Sequence, residues 1–362
     1  MATKNKRYLS YDILRLMAIL GVIGAHLSAF FVLNYNPDTI EFITENIINV
    51  LLSAFPISVF LMISGALLLN EDKPFDDKKF IRKSWLPLVL ITIFWTVFYG
   101  LFYGYGLPTL THQPTSFSTF LNYLICFEGS DYPHMWYMYM IVGMYLLIPI
   151  LRLFVKRENR NYILWIIIGC FVVQCIPKTL GIFTIGADFT VKDFVAQFYL
   201  NPLMRMIIFL FLGWYLSTFQ LAKNKRIIIY ILGIISAFVM LWAVQTYIVA
   251  IPSIRNYFLT GEDITSTLYS IAIFVFVLAI CKNKENDSPK LKELSTFIFG
   301  IYLVHVFFLE LFLQVIYPYS KFTLQIPVVY HMIIFIAVFA LSYIIILLFS
   351  KTKYLKKLFY LK

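Results

Sequence analysis

Ten apolar runs, each about as long as a bilayer is thick, punctuate this chain. They lie near 10–33, 47–69, 86–107, 135–151, 162–180, 203–219, 227–250, 265–281, 294–316 and 328–350. A helix that crosses the hydrocarbon core needs roughly 20 apolar residues. At 60% hydrophobic and 14% charged, the 362 residues are too apolar for a soluble domain. The expected fold class is therefore all-α: a polytopic transmembrane helical bundle of about ten spans. It is read as a single transmembrane domain over 1–362, with short ends and no appended soluble domain.

The net charge of +11 is distributed by topology. Of the 30 Lys and Arg residues, 24 fall at the two ends or in every second loop, as in the stretches 73–83, 152–160, 223–226 and 282–292. Basic residues concentrate on the cytoplasmic side of membrane proteins, so both termini are expected to be cytoplasmic. The same distribution excludes a nucleic-acid footprint. The basic start also suits a secretory signal, but the first apolar run is too long and no small-residue cleavage site follows it. None of Cys126, Cys170, Cys175 and Cys281 forms a CxxC or metal spacing, so no metal is expected. The loops 108–134 and 181–202 lie on the outer side. Their length and aromatic content suit short interfacial helices or a lid.

The first run carries Asp12, Arg15 and His26. At 100° per residue, positions 12, 15, 19, 22 and 26 trace one face of a helix. Arg15 and His26 stand 11 residues apart, or about 16 Å along the axis. Arg15 lies near the cytoplasmic entrance and His26 past the midplane. Asp12 can pair with Arg15 at i,i+3. A charge within a membrane helix costs at least ~2.5 kcal/mol and usually faces a protein interior or a wet cavity. The alternative is that Arg15 snorkels to the headgroups and His26 is a core histidine.

Three further histidines, His134, His305 and His331, lie from mid-depth outward. Imidazoles in different spans at compatible depth suggest a shared polar cavity, and histidine serves as a general base near neutral pH. Arg205, Asn201, Glu128, Asp131 and Glu310 are further polar candidates, with Glu310 and His331 favoured at the outer interface. On the inner side Lys78, Lys79, Arg82 and Lys83 precede the third span. They can receive a polyanionic ligand, or they simply belong to a basic inner loop.

These stretches together resemble the acyltransferase-3 family of integral-membrane acyltransferases. Arg15 and His26 match its arginine, ten residues, histidine pattern, with Asp12 before it. "FPISVFLMISGALL" is similar to its second span, at Ser64 and Gly65. "FIRKSWLPLV" is similar to its basic approach to span three, although Arg82-Lys83 replaces two adjacent arginines. "HMWYMYMIVGMYLLIPIL" resembles a fourth segment, at His134, Trp136, Tyr139, Tyr145 and Pro149. "FGIYLVH" resembles a late one, at Gly300, Tyr302 and His305.

The resemblance implies an O-acyltransferase of the stand-alone kind. Acetyl-CoA on the cytoplasmic side is the implied donor, and a hydroxyl of an extracytoplasmic cell-surface glycan the implied acceptor. Arg15 then stabilises the phosphopantetheine end or the thioester oxygen, tethered by Asp12. Arg82 and Lys83 receive the CoA phosphates, with Lys78 and Lys79 as weaker candidates. His26 is the base, or carries the acyl group briefly, and His305 and Tyr302 orient it or bind acceptor. Trp136, Tyr139, His134 and Arg205 are the acceptor-side candidates. The expected partners are acyl-CoA, the carbohydrate and membrane lipid. A transporter or flippase for a surface-polysaccharide precursor shares the spans, the polar stripe and the aromatic outer loops. Only the enzyme needs a CoA dock.

Overall fold

The computed structural model describes residues 7–34, 36, 39–125, 134–175, 202–247, 263–282, 284–319, 327–352 and 355–359. Among them all regular structure is helical. The helices are α1 (Leu9–Asn34), α2 (Ile40–Ser53), α3 (Pro56–Leu68), α4 (Asp77–Leu110), α5 (Phe117–Ile125), α6 (Met135–Phe154), α7 (Arg160–Cys170), α8 (Pro202–Thr218), α9 (Lys223–Tyr247), α10 (Ile264–Ile280), α11 (Pro289–Ile316) and α12 (Pro327–Ser350). Each of the ten expected segments contains a helix. Seven stretches are long and apolar enough to cross a membrane, while α8 and α10 supply two shorter apolar helices. The loop expected to hold interfacial helices contains α5, whose Phe117 is exposed.

The run read as one span over 47–69 begins earlier, at Ile40, and is divided at Pro56. Proline lacks the N–H that a continuous helix would use at that point, and it disfavours helical backbone at the preceding residue. Proline also explains a local widening within α4. Pro108 offers no N–H to the Gly104 carbonyl, which instead accepts the Ser116 N–H at 3.1 Å. The chain around it forms a π turn over Phe102–Gly106.

Contacts gather the chain into two compact units, residues 1–74 with 148–295 and residues 75–147 with 296–362. In the first unit α3 lies against α8 at backbone distance. A Cβ on Gly65 would stand 2.0 Å from the Leu210 carbonyl oxygen, and one on Gly213 would stand 1.9 Å from that of Met62. Apolar burial drives nothing between helices already in lipid, so small residues that admit close backbone packing supply the association. Gly21 of α1 abuts the side chains of Phe55 and Pro56, each of which a Cβ there would meet at 2.9 Å. Val32, Phe42, Val50, Ala54, Met240, Ala243 and Val244 form a core between α1, α2 and α9.

In the second unit Tyr99, His134, Tyr302, Leu303, His305 and Val338 are each buried. The Trp95 indole N–H donates to the Leu358 carbonyl at 3.1 Å, and its ring meets Phe359, which ties the C-terminal 3₁₀ turn Leu355–Phe359 to α4.

Candidate active site

The first unit builds its site around one carboxylate. Asp12 is fully buried. Its Oδ1 accepts from Arg15 Nη1 at 3.0 Å and from the Ser295 hydroxyl at 2.5 Å. Its Oδ2 accepts from Arg7 Nε at 2.8 Å and from Asn286 Nδ2 at 2.6 Å. A carboxylate buried without such donors would be very costly. Arg7 also donates to the Lys292 carbonyl at 2.8 Å. Backbone bonds from Leu9 N to Lys284 O and from Asn286 N to Arg7 O fasten the start of α1 to the segment before α11. The Asp12–Arg15 pair expected at i,i+3 is present; Arg7, Asn286 and Ser295 are additions to it. The Arg15 guanidinium keeps 27% of its side chain accessible.

Farther along the same face, His26 is half-buried. Ile19 and Val22 lie between it and Arg15 at 0% and 8% exposure. Packed side chains therefore fill this stripe, where the sequence had suggested a wet seam. Beside His26, Asn49 of α2 donates from Nδ2 to the Ala25 carbonyl at 2.7 Å. Its neighbours Glu45 and Asn46 are also buried. Sequence reasoning missed all three: Glu45 and Asn46 precede the apolar run at 47–69 that suggested a span, and Asn49 was passed over inside it.

The second unit gathers its own group of polar and aromatic side chains. His134 and His305 are 2% and 0% exposed, with ring centroids 5.5 Å apart. The Tyr302 hydroxyl donates to the His134 carbonyl. His305 Nδ1 lies 2.6 Å from the Tyr302 carbonyl. A carbonyl only accepts, so Nδ1 carries the hydrogen, and in the neutral ring Nε2 holds the lone pair. Tyr99 packs edge-on against His134, with centroids 4.7 Å apart, and donates to the Leu303 carbonyl at 2.7 Å. Tyr139 and Thr96 share a hydroxyl–hydroxyl bond of 2.8 Å. Trp136 is exposed. Glu310 accepts from Tyr103 at 2.9 Å and from Gln314 at 2.5 Å, and His331 is buried.

Lys78, Lys79, Arg82 and Lys83 are exposed. Arg82 and Lys83 occupy the π turn Ile81–Trp85, ahead of Pro87. Arg205 lies on α8 with its side chain outside the described part, and Glu128, Asp131 and Asn201 lie outside the described residues.

Comparison with known proteins adds one finding. A family model described as an acyltransferase domain matches residues 8–347. No curated protein and no solved structure matches.

Proposed function

From the premise that the chain belongs to the acyltransferase-3 family of membrane acyltransferases, we propose that it moves an acetyl group from cytoplasmic acetyl-CoA to a hydroxyl of an extracytoplasmic cell-surface glycan. The bacterial plasma membrane is its site and both termini are cytoplasmic. The observation that carries this reading is the single helical face of α1. It bears an arginine held by a buried carboxylate at one end and an imidazole near the other.

The separation of those groups divides their roles. With about 16 Å between Arg15 and His26, one thioester carbonyl cannot meet both. Arg15, oriented by Asp12, holds the donor's pantetheine arm from the inner side. His26 takes the proton from the acceptor hydroxyl as its oxygen attacks the thioester carbon. The new C–O bond forms, the C–S bond breaks, and the proton passes from the imidazolium to the departing thiolate. A positioned general base contributes about 10²–10⁴-fold. Ile19 and Val22 keep the packed stretch between the two groups dry, so water that would hydrolyse the thioester is excluded there. On the acceptor side, exposed Trp136 offers a ring face for a sugar. The His134–His305 pair is fixed by Tyr302, so Tyr302 acts by positioning.

The test is transfer of labelled acetyl from acetyl-CoA to glycan by the purified protein in lipid. His26→Ala should lower the rate at least 100-fold while the protein still purifies as a folded species. Full activity in that variant removes His26 from the chemistry. Glycan flux without thioester cleavage would identify a transporter instead.

A further inference from the structure

A cavity of about 330 Å³ opens in the first unit, where the start of α1, the ends of α3, α8 and α10 and the start of α9 come together. Its volume lies at the lower end of the range for small-molecule sites. Three cations line it, Arg157, Arg226 and Lys282, against one carboxylate, Asp72. Their states differ. Arg157 is neutralised by Glu71 at 3.1 Å and Asp72 at 2.5 Å. Arg226 is half-buried, its Nε is shielded from solvent, and that atom has no hydrogen-bond partner among the described residues. Lys282 is exposed and has no ion pair among them. A shielded guanidinium N–H without an acceptor is unfavourable. The group that relieves it is an anion, and a planar guanidinium matches phosphate oxygens in particular.

The rest of the lining agrees. Tyr8, Ser10, Tyr11, Ser217 and Thr218 add hydroxyl groups to the wall. Tyr11 of α1 and Ser217 of α8 both line it. Arg15 follows Tyr11 by one turn of α1, about 6 Å deeper. The α1 part of its wall, Ser10 and Tyr11, therefore adjoins Asp12 in the helix and stands about one turn from Arg15.

We propose that this cavity binds the phosphate-bearing nucleotide head of the acyl donor, with Arg226 and Lys282 as its phosphate ligands. The proposal rests on the acyl-CoA reading above, and it moves the phosphate dock from Arg82 and Lys83 to the first unit. An anionic phospholipid headgroup presents the same phosphate chemistry, and the nearness of the α1 wall to Arg15 along the helix favours the donor.

CoA binding to the full chain is measured by calorimetry in nanodiscs of phosphatidylcholine alone. The Arg226→Gln/Lys282→Gln double variant should raise the Kd for CoA at least tenfold. It should raise KM for acetyl-CoA with kcat little changed, and it should use S-acetylpantetheine, which lacks the nucleotide, as well as the wild type does. The last result also shows that the variant is folded. Unchanged CoA affinity overturns the site. So does loss of affinity confined to an Arg82→Gln/Lys83→Gln variant, or a double variant that sheds copurifying anionic phospholipid by mass spectrometry yet binds CoA normally. CoA binding that depends on Arg226 and Lys282, without any thioester cleavage, would sink the transfer reading and leave the site standing.

Discussion

Asp12 receives four hydrogen bonds, two of them from arginines. Removing one side of such a buried set leaves charge unpaired, at a cost of about 3–5 kcal/mol. Asp12→Ala should therefore lower the thermal unfolding midpoint in detergent sharply, whereas Asp12→Asn, which keeps the shape and part of the bonding, should lose less. Transfer activity should fall in both, because Arg15 loses its anchor. The reach of the sequence at this scale follows from separation along the chain. Asp12 and Arg15 were legible because i,i+3 spacing on a helix fixes their neighbourhood. Asn286 and Ser295 stand 274 and 283 residues from Asp12, and no periodicity connects them to it.

At the scale of elements, the close approach of α3 and α8 depends on two positions without side chains. Gly213→Ala would put a methyl group 1.9 Å from the Met62 carbonyl oxygen. The helices must then part, so destabilisation of about 1–3 kcal/mol is expected, read as a lower unfolding midpoint. Gly65→Ala should behave alike. Gly65 drew notice in the sequence as part of a motif, while its partner Gly213 carried no local signal. The helix α2 shows the opposite limit. Glu45, Asn46 and Asn49 are polar, and the apolar-run criterion excluded the turn that holds the first two. Their burial comes from packing against other helices, which hydropathy along a single helix does not register. Arg152 is comparable: its guanidinium donates to the carbonyls of Leu68, Asn70 and Lys73, capping the end of α3. It counted in the sequence only as a topological charge. Arg152→Gln should loosen the connection after α3, seen as faster proteolysis within residues 69–76.

For the whole molecule, the proposed orientation rests on the distribution of Lys and Arg, and its prediction is direct. A C-terminal reporter that matures only in the cytoplasm should be active, and one that matures only outside should not. The helical class and most span positions were legible because a bilayer imposes length and apolarity on every crossing segment. The grouping of helices into two units was not, since residues 148–295 join residues 1–74 across an intervening unit. The order of synthesis gives the fastening of α1 to the segment at 284–295 a further consequence. The ribosome delivers Asp12 at the outset, with Arg7 and Arg15 at hand, but the amide of Asn286 and the hydroxyl of Ser295 emerge only after most of the chain has been inserted. Until then the first helix waits with an incompletely solvated carboxylate, and nascent chains that stall before residue 284 should be preferred targets of membrane proteases.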